Sequence, residues 1–166
     1  MASGDTLLQF GPYSNEPPAS NYATLDTRNQ HPVLDFDAAA DEGAVFSAVM
    51  PQHYAGTTGV TVYIHWAASS ATSGDTVWEA SFERVGTALD IDADSFAAIQ
   101  YVADTCSGTS GIVQIAAIPF TDGAQMDSIA VGEKFRLKIS RDADSTNDTD
   151  DMAGDAELVA VEIRET

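Results

Sequence analysis

Alternation of apolar and polar residues runs through most of this chain and constrains its fold more than any other feature. Successive side chains of a β-strand point to opposite faces, so a period of two marks a strand packed on one side and wet on the other. Over 59–68, Val60, Val62, Ile64 and Trp66 share one face, and Thr61, Tyr63 and His65 the other. Over 76–85, Trp78, Ala80 and Phe82 alternate with Glu79, Ser81 and Glu83. Over 133–141, Phe135, Leu137 and Ile139 alternate with Lys134, Arg136 and Lys138. Over 156–164, Val159, Val161 and Ile163 share a face opposite Glu162. Further strands are predicted at 33–37, 43–50, 97–104 and 111–120. The turn-rich segments SSATSGD, CSGTSG and TDG and a long Asp-rich loop separate them. No helical heptad and no internal repeat occurs, and 37–44 and 94–98 read as single helical turns.

Eight strands of similar length with varied loops predict an all-β fold, an eight-stranded antiparallel β-sandwich of jelly-roll type. An immunoglobulin-like sandwich is the second arrangement. Its Cys–Trp–Cys hallmark is missing, since the chain has a single cysteine, Cys106. The sandwich is expected over 41–166. Residues 1–40 read as an extended N-terminal arm with short strands, because Pro12, Pro17, Pro18 and Pro32 punctuate it. The arm's Leu7, Leu8, Phe10 and Tyr13 need a surface to lie on, either this domain's own or a neighbour's, and are candidate partner contacts.

Charge narrows the function. The 166 residues carry 26 acids and 7 bases, a formal net charge of −19. Nucleic acid is excluded as a general partner, since phosphate contact needs a basic footprint, and anionic lipid is disfavoured. No apolar run approaches the ~20 residues of a membrane helix. The N-terminal MASGDTLLQFG has neither a basic n-region nor an apolar h-region, so no signal peptide is expected.

Catalytic motifs are weak. His31, His53 and His65 are isolated and, with one cysteine, assemble no zinc site from local ligands. Gly108-Thr109-Ser110-Gly111 has the wrong spacing for a nucleophile elbow. Cys106 has nothing nearby in sequence to lower its pKa. Glu79 and Glu83, about 13 Å apart along one strand, read as the solvated outer face of a sheet. The Asp90-x-Asp92-x-Asp94 run lacks the glycine and the bidentate glutamate of an EF-hand. The loop after 141 is denser in oxygen ligands, and Asp142, Asp144, Asp148 and Asp150 are weak candidates for a structural Ca²⁺. A plainly solvated loop is the preferred reading, and no cofactor is expected otherwise.

Bases are rare enough to be informative. Lys134, Arg136 and Lys138 form a basic strip, read as pairing across to Glu157, Glu162 or Glu79. The sharper alternative is an outward stripe docking on an acidic partner. Tyr13, Tyr22, Tyr54, Tyr63 and Tyr101 are candidates for stacking on sugar rings, although they are spread over separate segments.

Three segments together carry a resemblance: YATLDTRNQHPVLDFD (22–37), VYIHWAASSATSGDTVWEASFERV (62–85) and GEKFRLKISRDADSTNDTDDMAGDAELVAVEIRET (132–166). They resemble small jelly-roll structural proteins of tailed bacteriophages and prophages. The ending is the most specific part, with Gly132-Glu133, Arg141-Asp142 and Gly154-Asp155-Ala156 at its corners. The resemblance implies a non-enzymatic virion protein assembled in the host cytoplasm. It implies a homo-oligomer, a trimer, whose partners are capsid or tail proteins. A capsid decoration (cement) protein is the first expectation. A tail or head-appendage module recognising host-surface glycan is the alternative, and a small carbohydrate-active enzyme is a distant third.

Overall fold

The computed structural model describes residues 4–166. Ten strands form: β1 (Thr6–Phe10), β2 (Thr24–Arg28), β3 (His31–Phe36), β4 (Gly43–Val49), β5 (Val60–Ala68), β6 (Asp75–Val85), β7 (Gln100–Thr105), β8 (Gln114–Phe120), β9 (Lys134–Arg141) and β10 (Ala156–Glu165). No helical turn forms at 37–44, which is a bend running into β4, or at 94–98, which is irregular, and the two 3₁₀ turns among the described residues lie at Pro12–Ser14 and Ala124–Met126.

Two antiparallel sheets face each other. The first runs β2-β3-β10-β5-β8 with β1 also on β10, and the second runs β4-β9-β6-β7. From β3 to β10 the chain crosses between sheets in jelly-roll order, which gives each sheet four of the eight expected strands. The two additional strands belong to the segment expected as an arm. β1 pairs with β10 at Gln9–Glu162 and Phe10–Val161, and β2 pairs with β3 along its length. Leu7 and Phe10 are buried in this sandwich's own core, and Phe10 stacks on Phe46 at 5.4 Å. The short strands of the arm are therefore part of the first sheet, and its Leu7 and Phe10 lie on this domain's own core.

Alternation built the core where it was regular. Val60, Val62, Ile64, Trp66, Trp78, Phe82, Phe135, Leu137 and Ile139 are all fully buried. Their rings meet edge to face, with Phe36–Trp78 at 5.0 Å and Phe82–Phe120 at 4.8 Å, the arrangement that ring quadrupoles favour. β10 breaks the rule. A bulge between Leu158 and Ala160 shifts its register against β5, so Leu158 takes the inner position and Val159 turns outward. One extra residue re-aims every side chain beyond it, which the simple parity of 156–164 did not anticipate.

Candidate interaction surfaces

The outer face of the second sheet gathers the basic strip. β9 lies between β4 and β6, with Ser81 opposite Lys138 and Glu83 opposite Arg136. β10 is in the other sheet, so the expected pairing with Glu157 or Glu162 does not occur. Those two acids bond to Arg28 at 2.5 Å and to Arg164 at 2.7 Å. Arg136 pairs with Glu83 and lies over the Phe96 ring at 5.0 Å. Lys134 and Lys138 make no ion pair among the described residues.

Glu79 and Glu83 are not solvated. Both are buried beneath the neighbouring segments. Glu79 accepts hydrogen bonds from Ser140 Oγ at 2.9 Å and Asn147 Nδ2 at 2.5 Å. Burial raises its pKa, and the nearby Asp142 and Asp41 add to the rise. Along one strand Glu79 and Glu83 sit about 13 Å apart, beyond the ~9.5 Å limit of an inverting glycosidase pair. A cavity of about 500 Å³ opens here between Lys138, Glu79, Ser140, Asp41, Asn21 and Ile99. A second, of about 330 Å³, lies along the same face between Lys134, Arg136, Glu83 and Glu16.

The Asp-rich loop folds back on this face, and its acids have separate tasks. Asp142 is buried, accepting backbone N–H groups from Thr146 at 2.9 Å and Asn147 at 2.7 Å. Asp150 takes a bidentate pair from Arg141 at 2.7 and 2.9 Å. Among the described residues, Asp148 accepts only from its neighbour Thr149. Of the four candidate calcium ligands, Asp142 and Asp144 come together, joined by Asp41 within 4.8 Å. Asp150 is committed to an arginine and Asp148 lies outside the group, so the four-ligand set predicted from sequence does not assemble.

Arg141 was the residue most undervalued by sequence reasoning. It is fully buried, and all five of its N–H donors are used. Two go to Asp150; the others reach the carbonyls of Phe36 (3.3 Å), Gly154 (2.8 Å) and Met152 (2.8 Å). The signal was present, because Arg141 continues the inward parity of Phe135, Leu137 and Ile139.

The remaining candidates disperse. Leu8 is half-buried against the core and Tyr13 is exposed. Tyr54 is buried, its hydroxyl 3.1 Å from Asp122, and burial with that carboxylate pushes its pKa up to about 12. Tyr63 lies under the Arg164 guanidinium at 4.3 Å. His65 stands 3.8 Å from Glu162 on the outer face of the first sheet. Cys106 is buried, and burial, then Asp75 and Asp151, raises its thiol, the opposite of what a nucleophile needs.

The open edges differ in character. β8, the edge of the first sheet, carries no charged residue over Gln114–Phe120. Ile112, Val113 and Ile115 stand about half exposed along it. Exposed edge strands are ordinarily blunted with charge, because their unpaired backbone groups recruit other strands.

No protein-family model and no curated protein matches the chain by sequence. Solved structures do match. The CBM22-1 xylan-binding domain from Paenibacillus barcinonensis Xyn10C is similar over 99% of this chain and 97% of its own, at TM-score 0.50 and 14% identity. The CBM22-2 xylan-binding domain of the same protein covers 92% of each chain at TM-score 0.50 and 13% identity. A carbohydrate-binding module from Cellvibrio mixtus lichenase 5A covers 98% and 99%, at TM-score 0.47 and 12% identity. At such identities the likeness is one of fold, and the fold shared with the two xylan-binding domains is the β-sandwich jelly roll.

Proposed function

We propose that this chain is a non-catalytic structural protein of a phage virion, a decoration subunit that assembles side by side with copies of itself on the capsid surface. The observation that carries the reading is the β8 edge. A chain with 33 charged residues leaves this seven-residue edge strand free of charge, with Ile115 half exposed on it and Ile112 and Val113 half exposed just before it. Such an edge suits a surface that is covered in an assembly. The resemblance of 22–37, 62–85 and 132–166 to phage jelly-roll proteins supplies the setting. The acidic remainder supplies a non-sticking exterior. Subunit contact through β8 takes over the role first expected of the N-terminal arm.

The test is the assembly state of the purified protein and of Ile115→Lys, which places a charge on an exposed edge position. The wild type should sediment as a homo-oligomer, a trimer by the phage resemblance. The variant should be monomeric, with a melting temperature within about 2 °C of wild type. A wild type that stays monomeric at high micromolar concentration and is missing from particles would falsify the proposal. Copy number separates decoration from the tail or head-appendage reading, with hundreds of copies per particle marking the first and a handful the second.

A further inference from the structure

At the far edge of the first sheet from β8, the structure brings together two tyrosines that the sequence keeps nine residues apart. Tyr13 and Tyr22 are 74% and 51% exposed. Both line one groove of about 290 Å³ with Pro12, Asn15, Pro17 and Leu25. Such exposure usually goes with a loose loop, but here both backbones are pinned. The Tyr13 turn closes through Ser14 N–H to Gly11 O at 3.0 Å and Asn15 N–H to Pro12 O at 3.2 Å. It is tied to β4 by Val45 N–H donating to Asn15 Oδ1 at 3.0 Å and Glu16 N–H to Val45 O at 2.7 Å. Tyr22 follows Asn21, which holds a left-handed φ of 52°. It is flanked by Gly43 N–H to Asn21 O at 2.8 Å and Ala23 N–H to Gly43 O at 3.0 Å. The rings are thus displayed on a rigid frame, and neither hydroxyl has a partner among the described residues.

Charge defines the occupant. In a chain of net charge −19, no residue lining this groove is charged. Three acids adjoin lining residues in sequence, Glu16, Asp26 and Asp35, and none of them lines the groove. Glu16 turns to the other face, where its carboxylate accepts from Ser47 Oγ at 2.6 Å and lines the cavity beside Lys134, and Asp26 accepts from the Thr27 N–H at 2.7 Å. A cationic peptide would find no counter-charge in the groove, and an anionic ligand would meet only the surrounding negative field. What fits is a neutral ligand with flat apolar faces for the rings and hydroxyls for Asn15 and the tyrosine OH groups. Its volume, at the low end of ligand sites, limits that ligand to a small unit.

We infer that the Tyr13–Tyr22 groove binds a neutral carbohydrate, one or two pyranose rings stacked on the tyrosines, as a site on the virion protein separate from its β8 assembly edge. Because the two lie at opposite edges of one sheet, loss of assembly and loss of sugar binding are separable outcomes.

The test is a glycan array of neutral and acidic oligosaccharides probed with the full chain, followed by affinity electrophoresis in the best neutral polysaccharide. The wild type should bind at least one neutral glycan. Tyr13→Ala and Tyr22→Ala should each weaken that binding about tenfold or more. Tyr101→Ala, on β7, should leave it unchanged, as should raising salt from low to high, and all three variants should keep the wild-type melting transition. No neutral glycan bound at millimolar concentration, or binding indifferent to both tyrosines, overturns the inference. So does a double variant that loses self-association and no sugar binding, since the groove would then seat a second copy.

Discussion

Arg141 joins three parts of the chain that are distant in sequence: the end of β9, the carbonyl of Phe36 at the end of β3, and the 150–154 stretch leading into β10. A buried charge is tolerated only when it is paired and its donors are satisfied, and removing one partner leaves the other stranded. Asp150 is doubly committed, since Val77 N–H and Thr76 Oγ1 also donate to it at 2.9 and 3.1 Å. Arg141→Leu should therefore destabilise the fold by about 3–5 kcal/mol in urea unfolding. Arg141→Lys should recover little of that, because an ammonium cannot reproduce the five-donor fork. A loss below about 1 kcal/mol for Arg141→Leu would show that the pair is solvated. The inward parity of position 141 could be read from the sequence. Its partners could not, because the carbonyls it serves are set by where β3 and the Asp-rich loop end in space.

Among elements, the close approach of β5 and β8 is the least forgiving. Gly59, which opens β5, has φ +86°, and a Cβ there would fall 2.1 Å from the carbonyl oxygen of Phe120 at the end of β8. Positive φ penalises any L side chain, and a backbone oxygen cannot step aside as a flexible side chain could. Gly59→Ala should cost about 3 kcal/mol, measured as a lowered urea midpoint, and should loosen β8 first by hydrogen exchange. Protection of β8 amides equal to wild type would count against that account. Elements were also where sequence reading was most uneven. The faces of β5, β6 and β9 were legible because alternation there is unbroken. Partners were not, because from β3 to β10 the jelly roll sends most consecutive strands, though not β6 and β7, to different sheets. Thus β9 and β10, adjacent in the chain, never pair, and Lys134, Arg136 and Lys138 were matched with the wrong acids. Asn21's left-handed backbone, which helps bring Tyr22 beside Tyr13, left no trace in the hydrophobic pattern.

Over the whole molecule, the acids divide into those the fold protonates more readily and those it holds ionised. Asp35 is raised to about 6, first by burial and then by Glu157, Asp26, Asp155 and Glu42 around it, and its Oδ1 is buried with no partner. A raised carboxyl favours the folded state while protonated; that contribution is complete below 3.8 and fades as pH climbs from there through 6. Glu162 has the opposite sign. The Arg164 guanidinium, helped by the Thr6 hydroxyl, holds it down to about 2, so its contribution is present above 4.5 and fades as pH falls towards 2. Melting temperature should therefore peak at about pH 4, between the ordinary values of 3.8 for Asp35 and 4.5 for Glu162. Asp35→Asn should raise stability at pH 8 by about 1 kcal/mol, allowing for solvent screening, and leave it unchanged at pH 4. A gain of equal size at both pH values would mean that ionisation of Asp35 is not the cause.

The position of β10 bears on how the molecule is made. It is the tenth strand in chain order, yet it lies inside the first sheet, with β5 on one side and β3 and β1 on the other. Until it arrives, that sheet is two strand pairs, β2-β3 and β5-β8, and an unpaired β1, and the Arg141 buckle cannot close because the carbonyl of Gly154 just before β10 is not yet in place. Folding should thus be slow and wait on the synthesis of β10, as expected when pairing partners are distant in the chain. In that interval the nascent chain is an aggregation hazard. The excess of negative charge on this chain would serve first as its own chaperone while it is newly made.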